Sequence, residues 1–98
     1  MKVYQYAIRE GMQEVQIHEG ARLLTAYMRE DGQPVVSALV DDARPLRNHR
    51  VLLVREALEF THRDGARWIG VIQIKALRSF HVFDCGEVLE LGGADEDK

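Results

Sequence analysis

Residues 21–40 read ARLLTAYMREDGQPVVSALV, and this stretch decides the fold class. Apolar residues alternate with polar or small ones on either side of its centre, over residues 21–28 and 35–40, which is the period of a strand. Asp31 and Gly32 stand between the two runs, and tight hairpin turns favour this pair because their central positions need positive φ. The sequence therefore predicts an antiparallel hairpin here.

The same alternation extends through most of the chain, and no segment carries a sustained helical stripe of apolar residues. Further strands are predicted at residues 2–8, around 15–17, and at 51–60, 68–74 and 80–83. A second Asp-Gly pair, Asp64 and Gly65, predicts a second hairpin, which joins the strands at 51–60 and 68–74.

The connection at residues 41–49 is different, because it is polar, contains Pro45 and is long for a hairpin. We expect it to cross an edge or to change sheets. About seven short strands with regular turn signals predict an all-β fold with little or no helix, either an antiparallel sandwich or a small barrel.

Length and composition predict one domain. The chain has 98 residues and 11.2 kDa, enough for a single core. We assign residues 1–91 to a single β domain and expect the acidic, glycine-rich residues 92–98 to be disordered. Cys85 is the one cysteine, which excludes an intrachain disulfide and fits a reducing cytoplasm. We expect no membrane insertion, since no apolar run is long enough to cross a bilayer.

Charge is unevenly distributed along the chain. The formal net charge is −3, which argues against a dedicated binder of duplex DNA. Residues 44–83, however, carry an excess of arginine. The candidate binding residues are the basic and aromatic side chains of this stretch: Arg44, Arg47, His49, Arg50, Arg67, Trp68, Arg78 and His81.

These side chains suit an anionic ligand if the strand ends that carry them converge. A guanidinium group binds phosphate through a planar fork, and Trp68 offers a ring on which a base can stack, so a nucleotide is a coherent small-molecule ligand. The alternative is a solvated basic face that offsets the acidic flanks of the chain.

Catalysis, a metal site and a cofactor are not expected. The candidate nucleophile Cys85 lies four residues after His81, and four residues of one strand span about 13 Å, so the two side chains would not touch. The four histidines show no ligand-forming spacing. His81 stands among Phe80, Val82 and Phe83, which favours a core histidine hydrogen-bonded to a neighbouring strand.

Several different short motifs are distributed between residue 2 and about residue 84. They are Lys2-x-Tyr4-x-Tyr6, Gly20-Ala21 before Leu23-Leu24, the Asp31-Gly32 turn, Trp68-Ile69-Gly70 and Phe80-His81-Val82-Phe83. On these motifs the chain resembles an uncharacterised family of small phage-encoded β proteins. The resemblance implies a phage origin, a small β fold and, for a phage protein, the host cytosol as its location, but no activity.

One departure from that family concerns the fifth predicted strand. In the family this strand often runs into Gly-Thr-Gly-His, whereas this chain has Arg55, Glu56, Ala57 and Leu58 at the matching positions. Leu58 cannot replace a histidine, so no ligand role is carried over through this turn.

These observations favour a noncatalytic phage accessory protein that acts by binding. The expected partner is a host or defence protein, or a second copy in a homo-oligomer, reached through exposed strand edges and surface aromatic residues. Two alternatives stay open, a binder that sequesters an anionic nucleotide and a minor component of the virion.

Overall fold

The computed structural model describes residues 1–55, 65–74 and 78–88 of the chain. Each regular element within these residues is a strand, in keeping with the alternating sequence pattern. The strands are β1 (Lys2–Ala7), β2 (Gly11–His18), β3 (Arg22–Met28), β4 (Pro34–Val40), β5 (Leu46–Arg55), β6 (Arg67–Ile74) and β7 (Arg78–Glu87).

The seven strands form two antiparallel sheets. One has three strands in the order β1-β4-β3, and the other has four in the order β2-β5-β7-β6. The chain moves from one sheet to the other after β1, after β2 and after β4. The predicted all-β antiparallel fold is confirmed, and within the described residues the arrangement is a two-layer sandwich.

The core lies between the two sheets and receives alternate residues from both. Its members share near-complete burial: Ile8, Ile17, Leu23, Ala26, Val36, Ala38, Val40, Val51, Leu53, Ile69, Ile72, Phe80 and Val82. In β4 the pattern differs, because Val35 and Ser37 are buried as well as Val36 and Ala38. This strand is the middle one of its sheet, so neighbours cover it on both edges.

The predicted hairpin joins β3 to β4, with partners running from Arg22 and Leu39 to Met28 and Pro34. Its turn is closed by the Gly32 amide, which donates to the Arg29 carbonyl at 2.9 Å. Gly32 has a φ of +87°, a conformation that side chains with a Cβ rarely adopt. The local turn signal was therefore sufficient to identify this hairpin.

The prediction of a second hairpin between the fifth and sixth strands is wrong. β7 lies between β5 and β6 and pairs with both, and the other edge of β5 pairs with β2. Gly65 does have a positive φ, +87°, as a turn requires. A local turn signal cannot state which strand becomes the neighbour in the sheet, and here the later strand β7 takes that place. Residues 56–64, which include the rest of the predicted turn, lie outside the described part.

The connection predicted at residues 41–49 is shorter than expected, because β5 already begins at Leu46. The expected change of sheet is confirmed. Leu46 pairs with His18 and His49 pairs with Val15, so backbone pairing to β2 outweighs the polar composition of this stretch. Arg47, His49 and Arg50 are consequently strand residues and do not belong to a loop.

Some predictions fall on residues that the structure does not describe. These are the end of the fifth predicted strand at 56–60 and the acidic tail at 92–98. Among the elements that are described, there is no helix with the length and apolarity needed to cross a membrane.

Candidate interaction surface

An apolar row crosses the outer face of the four-stranded sheet. Met12 of β2 lies opposite Leu52 of β5, Leu52 lies opposite Phe83 of β7, and Phe83 lies opposite Trp68 of β6. Directly opposed residues share one face of a sheet, so the four side chains form a continuous row perpendicular to the strands. Together with Val71, which shares this face one position further along β6, they are called the apolar stripe below.

The stripe is open to solvent at its ends. Trp68 is 54% exposed, Met12 46% and Val71 44%, while Leu52 and Phe83 in the centre are half-buried. Large apolar side chains this exposed are ordinary when they occur singly, but a contiguous group on one face marks an interaction surface.

The indole of Trp68 is held in place by a neighbouring strand. Its Nε1 donates to Nδ1 of His81 on β7 at 3.0 Å, and the two ring centroids are 6.4 Å apart. As predicted, His81 hydrogen-bonds to a neighbouring strand. The prediction that it is a core residue is wrong, because it is half-buried and lies on the outer face of the sheet. Because the indole N–H already has an acceptor, Trp68 presents carbon surface that needs no polar partner.

Polar residues beside the stripe are paired with each other. Arg50 Nε lies 3.5 Å from Oε2 of Glu14 across β5 and β2, and Gln16 donates to Asn48 one position further along the same strands at 3.3 Å. The charge of Arg50 is thus offset by Glu14 on the same face. A partner that covers the stripe therefore meets Arg50 with its charge already offset.

A surface groove of about 450 Å³ begins where the stripe ends at Met12 and is lined by Arg9, Gln13, Glu14 and Arg50 as well. The Gln13 side chain is buried and fixes the groove wall. Its Oε1 accepts from the Arg9 amide at 2.8 Å, and its Nε2 donates to the Arg9 carbonyl at 2.5 Å. The groove therefore adjoins the Met12 end of the stripe.

The structure does not gather the predicted basic residues round one anion. Arg44 and Arg47 both contact the carboxylate of Glu19, at 2.6 and 3.5 Å. The hydrogen bond from Arg44 is the main reason that the pKa of Glu19 is lowered. The positive charges of both guanidinium groups are therefore already met within the chain.

The remaining predicted residues lie at other places in the fold. Arg50 contacts Glu14, as described, and Arg67 contacts Asp84. Arg78 stands at the first position of β7. The structure brings three pairs of the predicted residues together: Arg44 with Arg47 at Glu19, His49 with Arg67 at Asp84, and Trp68 with His81.

His49 belongs to a buried cluster that the sequence reasoning missed. Its Nε2 lies 2.6 Å from Oδ1 of Asp84, and the two side chains are only 6% and 14% exposed. Asp84 also accepts from the Gly86 amide at 2.9 Å and contacts Arg67 at 3.3 Å through its other oxygen. Nδ1 of His49 is buried and has no hydrogen-bond partner among the residues that the structure describes.

This cluster connects the two sheets. Arg67, on the edge strand β6, donates to the carbonyl of Leu23 in β3 at 2.8 Å as well as to Asp84. Desolvation alone would raise the pKa of Asp84, but the hydrogen bonds from His49 and Gly86 and the nearby positive charges outweigh it, so the pKa is lowered. The carboxylate therefore stays ionised inside the fold and orients its three neighbours.

The register of β5 contained a signal for this cluster. His49 is two residues before Val51 and four before Leu53, so it occupies an inward position of an apolar strand. An inward histidine needs a buried polar partner. Asp84 lies two residues after the inward-facing Val82, so it also occupies an inward position, on β7. What the sequence could not provide was the pairing of β5 with β7.

The lowered pKa of Asp84 predicts a specific acid sensitivity. The folded pKa lies below the value of about 3.9 in an unfolded chain, so this carboxylate stabilises the fold above that value, and the contribution is lost as pH falls through the folded pKa. We expect Asp84→Asn to lose less stability than the wild type between about pH 5 and about pH 2.

Urea unfolding in high salt measures this effect, because salt screens the exposed ion pairs and leaves the buried one. Parallel loss of stability by the two proteins over this pH range would show that Asp84 does not contribute to acid unfolding.

The cluster has no catalytic partner within the described residues. His49 uses Nε2 for Asp84, and its other ring nitrogen bonds to no hydroxyl or thiol group. Nor do three histidine, cysteine, aspartate or glutamate side chains in the described ranges come close enough to hold a metal ion. The His49–Asp84–Arg67 cluster links the two sheets through hydrogen bonds.

Comparisons with known proteins add no relative. No protein-family model, no curated protein and no solved structure matches this chain. The resemblance to phage-encoded β proteins therefore stays a prediction from the sequence motifs.

Proposed function

We propose that this chain is a noncatalytic phage accessory protein that acts by binding a protein partner, either a host or defence protein or a second copy of itself, through the apolar stripe. The observation that supports the proposal is the unbroken row of four apolar side chains across a sheet face, ending in the exposed Trp68. A protein partner is the ligand for which such a face is suited, since it removes apolar surface from water over a wide area.

The composition of the stripe resembles the centre of a protein interface. Tryptophan, phenylalanine and methionine are enriched there, and tryptophan often contributes a large share of the binding free energy. The N–H of Trp68 is already bonded to His81. Burying the indole in an interface therefore leaves no hydrogen-bond donor without an acceptor at this position. The Glu14–Arg50 pair beside it suits the polar rim of such an interface.

Nucleotide binding at the arginines of residues 44–83 has less support. Arg44 and Arg47 contact Glu19, and Arg67 contacts Asp84, so a phosphate would have to displace a carboxylate at each place. The phage context rests on the resemblance of the sequence motifs alone, and whether the partner comes from the host is part of the proposal.

Site-specific photo-crosslinking tests the proposed surface. Benzoylphenylalanine placed at Met12 or Val71 in expressing cells is expected to give defined protein adducts, either with another protein or with a second copy. Val3, which is exposed on the outer face of the other sheet, is the matched control position and is expected to give none.

Two further observations decide the outcome of that experiment. Adducts at Met12 should disappear when Trp68→Lys is introduced, because a charge in the stripe opposes an apolar contact. Equal labelling at Val3, or no adduct at Met12 and Val71, would contradict the proposal.

A further inference from the structure

We propose that the partner of the apolar stripe is a second copy of this chain, bound face to face about a two-fold axis. The inference rests on the proposed function, because it names the occupant of the same surface. It is carried by the arrangement of side chains along the stripe, which is complementary to itself under one particular rotation.

The four directly opposed residues of the stripe are divided into an aliphatic half and an aromatic half. Met12 and Leu52 lie on β2 and β5, and Phe83 and Trp68 lie on β7 and β6, in the strand order β2-β5-β7-β6. The midline of the sheet runs between β5 and β7, so it separates the two halves.

A two-fold axis along this midline, parallel to the strands, exchanges the halves. It places Met12 over Trp68 of the partner subunit and Leu52 over the partner's Phe83, and each contact occurs twice, as in any isologous interface. A flexible thioether against an indole and a leucine against a phenyl ring are favourable contacts. If both halves carried aromatic residues, the same axis would place large rings directly against large rings, and they would not fit as closely.

The size of the face is adequate for a dimer. Four strands about 4.8 Å apart and eight to ten residues long present on the order of 500 Å² of sheet per copy. Two copies then bury about 1,000 Å² in total, which is near the lower limit for a specific interface. A dimer of this size is expected to be reversible and dependent on protein concentration.

The charges of the face agree with self-association. Two copies of one chain bring identical charges together, so a self-binding face needs its charges to cancel locally. Arg50 and Glu14 do so across adjacent strands, with side chains 39% and 44% exposed. The amides of Gln16 and Asn48 are likewise bonded to each other.

Sedimentation equilibrium of the purified full chain, over increasing concentration, is the first test. We expect the mass to rise from 11.2 kDa towards twice that value. Met12→Glu and Trp68→Lys, each alone, are expected to weaken association at least about thirtyfold, which is the loss typical of a residue that contributes strongly to an interface. The control Val3→Glu, on the other sheet, should associate as the wild type does.

Mixing the two stripe variants tests the axis itself. The proposed geometry opposes the carboxylate introduced by Met12→Glu in one subunit to the ammonium group introduced by Trp68→Lys in the other. It also leaves one wild-type contact between Met12 and Trp68, so the mixture should form a heterodimer although neither variant dimerises alone. Circular dichroism establishes whether each variant is folded. If a variant does not fold, the mass of the wild-type chain still tests the proposal.

The outcomes separate the two proposals. A wild-type chain that stays at 11.2 kDa, together with photo-adducts to a different protein at Met12, would overturn the second-copy inference and leave the proposed function in place. A monomer without adducts would overturn both. A wild-type dimer whose variants fail to form a heterodimer would contradict the two-fold arrangement.

Discussion

Replacing Asp84 with alanine is expected to lower the free energy of unfolding by about 3 kcal/mol, because it removes the buried carboxylate that His49 and Arg67 share. His49 would remain buried with both ring nitrogens unmet, and the Gly86 amide and Arg67 would lose their common acceptor. Such uncompensated groups cost more than the pair itself contributes.

Urea unfolding followed by far-ultraviolet circular dichroism measures this loss. Asp42→Ala is the matched control, since Asp42 also contacts a cation and a hydroxyl group, Lys2 at 2.9 Å and Tyr4 at 3.0 Å, but lies on the surface. Its removal should have little effect, as is usual for exposed pairs. Equal losses in the two variants would contradict the structural role given to the His49–Asp84–Arg67 cluster.

Replacing Gly70 with valine is expected to destabilise the sandwich by about 2 kcal/mol through overpacking. A Cβ at this position would lie 3.4 Å from the backbone nitrogen and oxygen of Ala26, and the glycine φ is +157°. The further methyl groups of valine would have to enter the contact between β6 and β3, where backbone atoms cannot move aside as a side chain can.

Gln73→Val provides the comparison for this prediction, because it adds the same β-branched residue at an exposed position of the same strand. Thermal unfolding of both variants is the measurement. If Gly70→Val melts at the wild-type temperature, the two sheets are not in close backbone contact at this edge.

The fold class and much of the strand pattern could be predicted from sequence, because alternation of apolar residues and the Asp31-Gly32 turn are local signals. Strand order could not. The sequence of turns suggested that the fifth and sixth strands pair, whereas β7 lies between them. Which edge a strand takes depends on competition among long-range pairings, and a local turn does not encode that.

The same limit explains what was predicted of the candidate surface. Trp68, His81 and the apolar character of both faces of some strands are visible in the sequence. The stripe is not, since it requires the register of four strands from residues 12 to 83. The charge excess of residues 44–83 indicated an anion pocket, but five of its arginines contact carboxylates from elsewhere in the chain.

The central claim, that the apolar stripe is covered by a second copy, is tested most directly by the fluorescence of Trp68. This residue is the one tryptophan of the chain, so its emission reports on the stripe alone. Over the concentration range in which the mass doubles, we expect a shift of the emission to shorter wavelength and a falling rate of quenching by acrylamide. Emission and quenching that stay constant while the mass doubles would contradict it, because association would then use another surface.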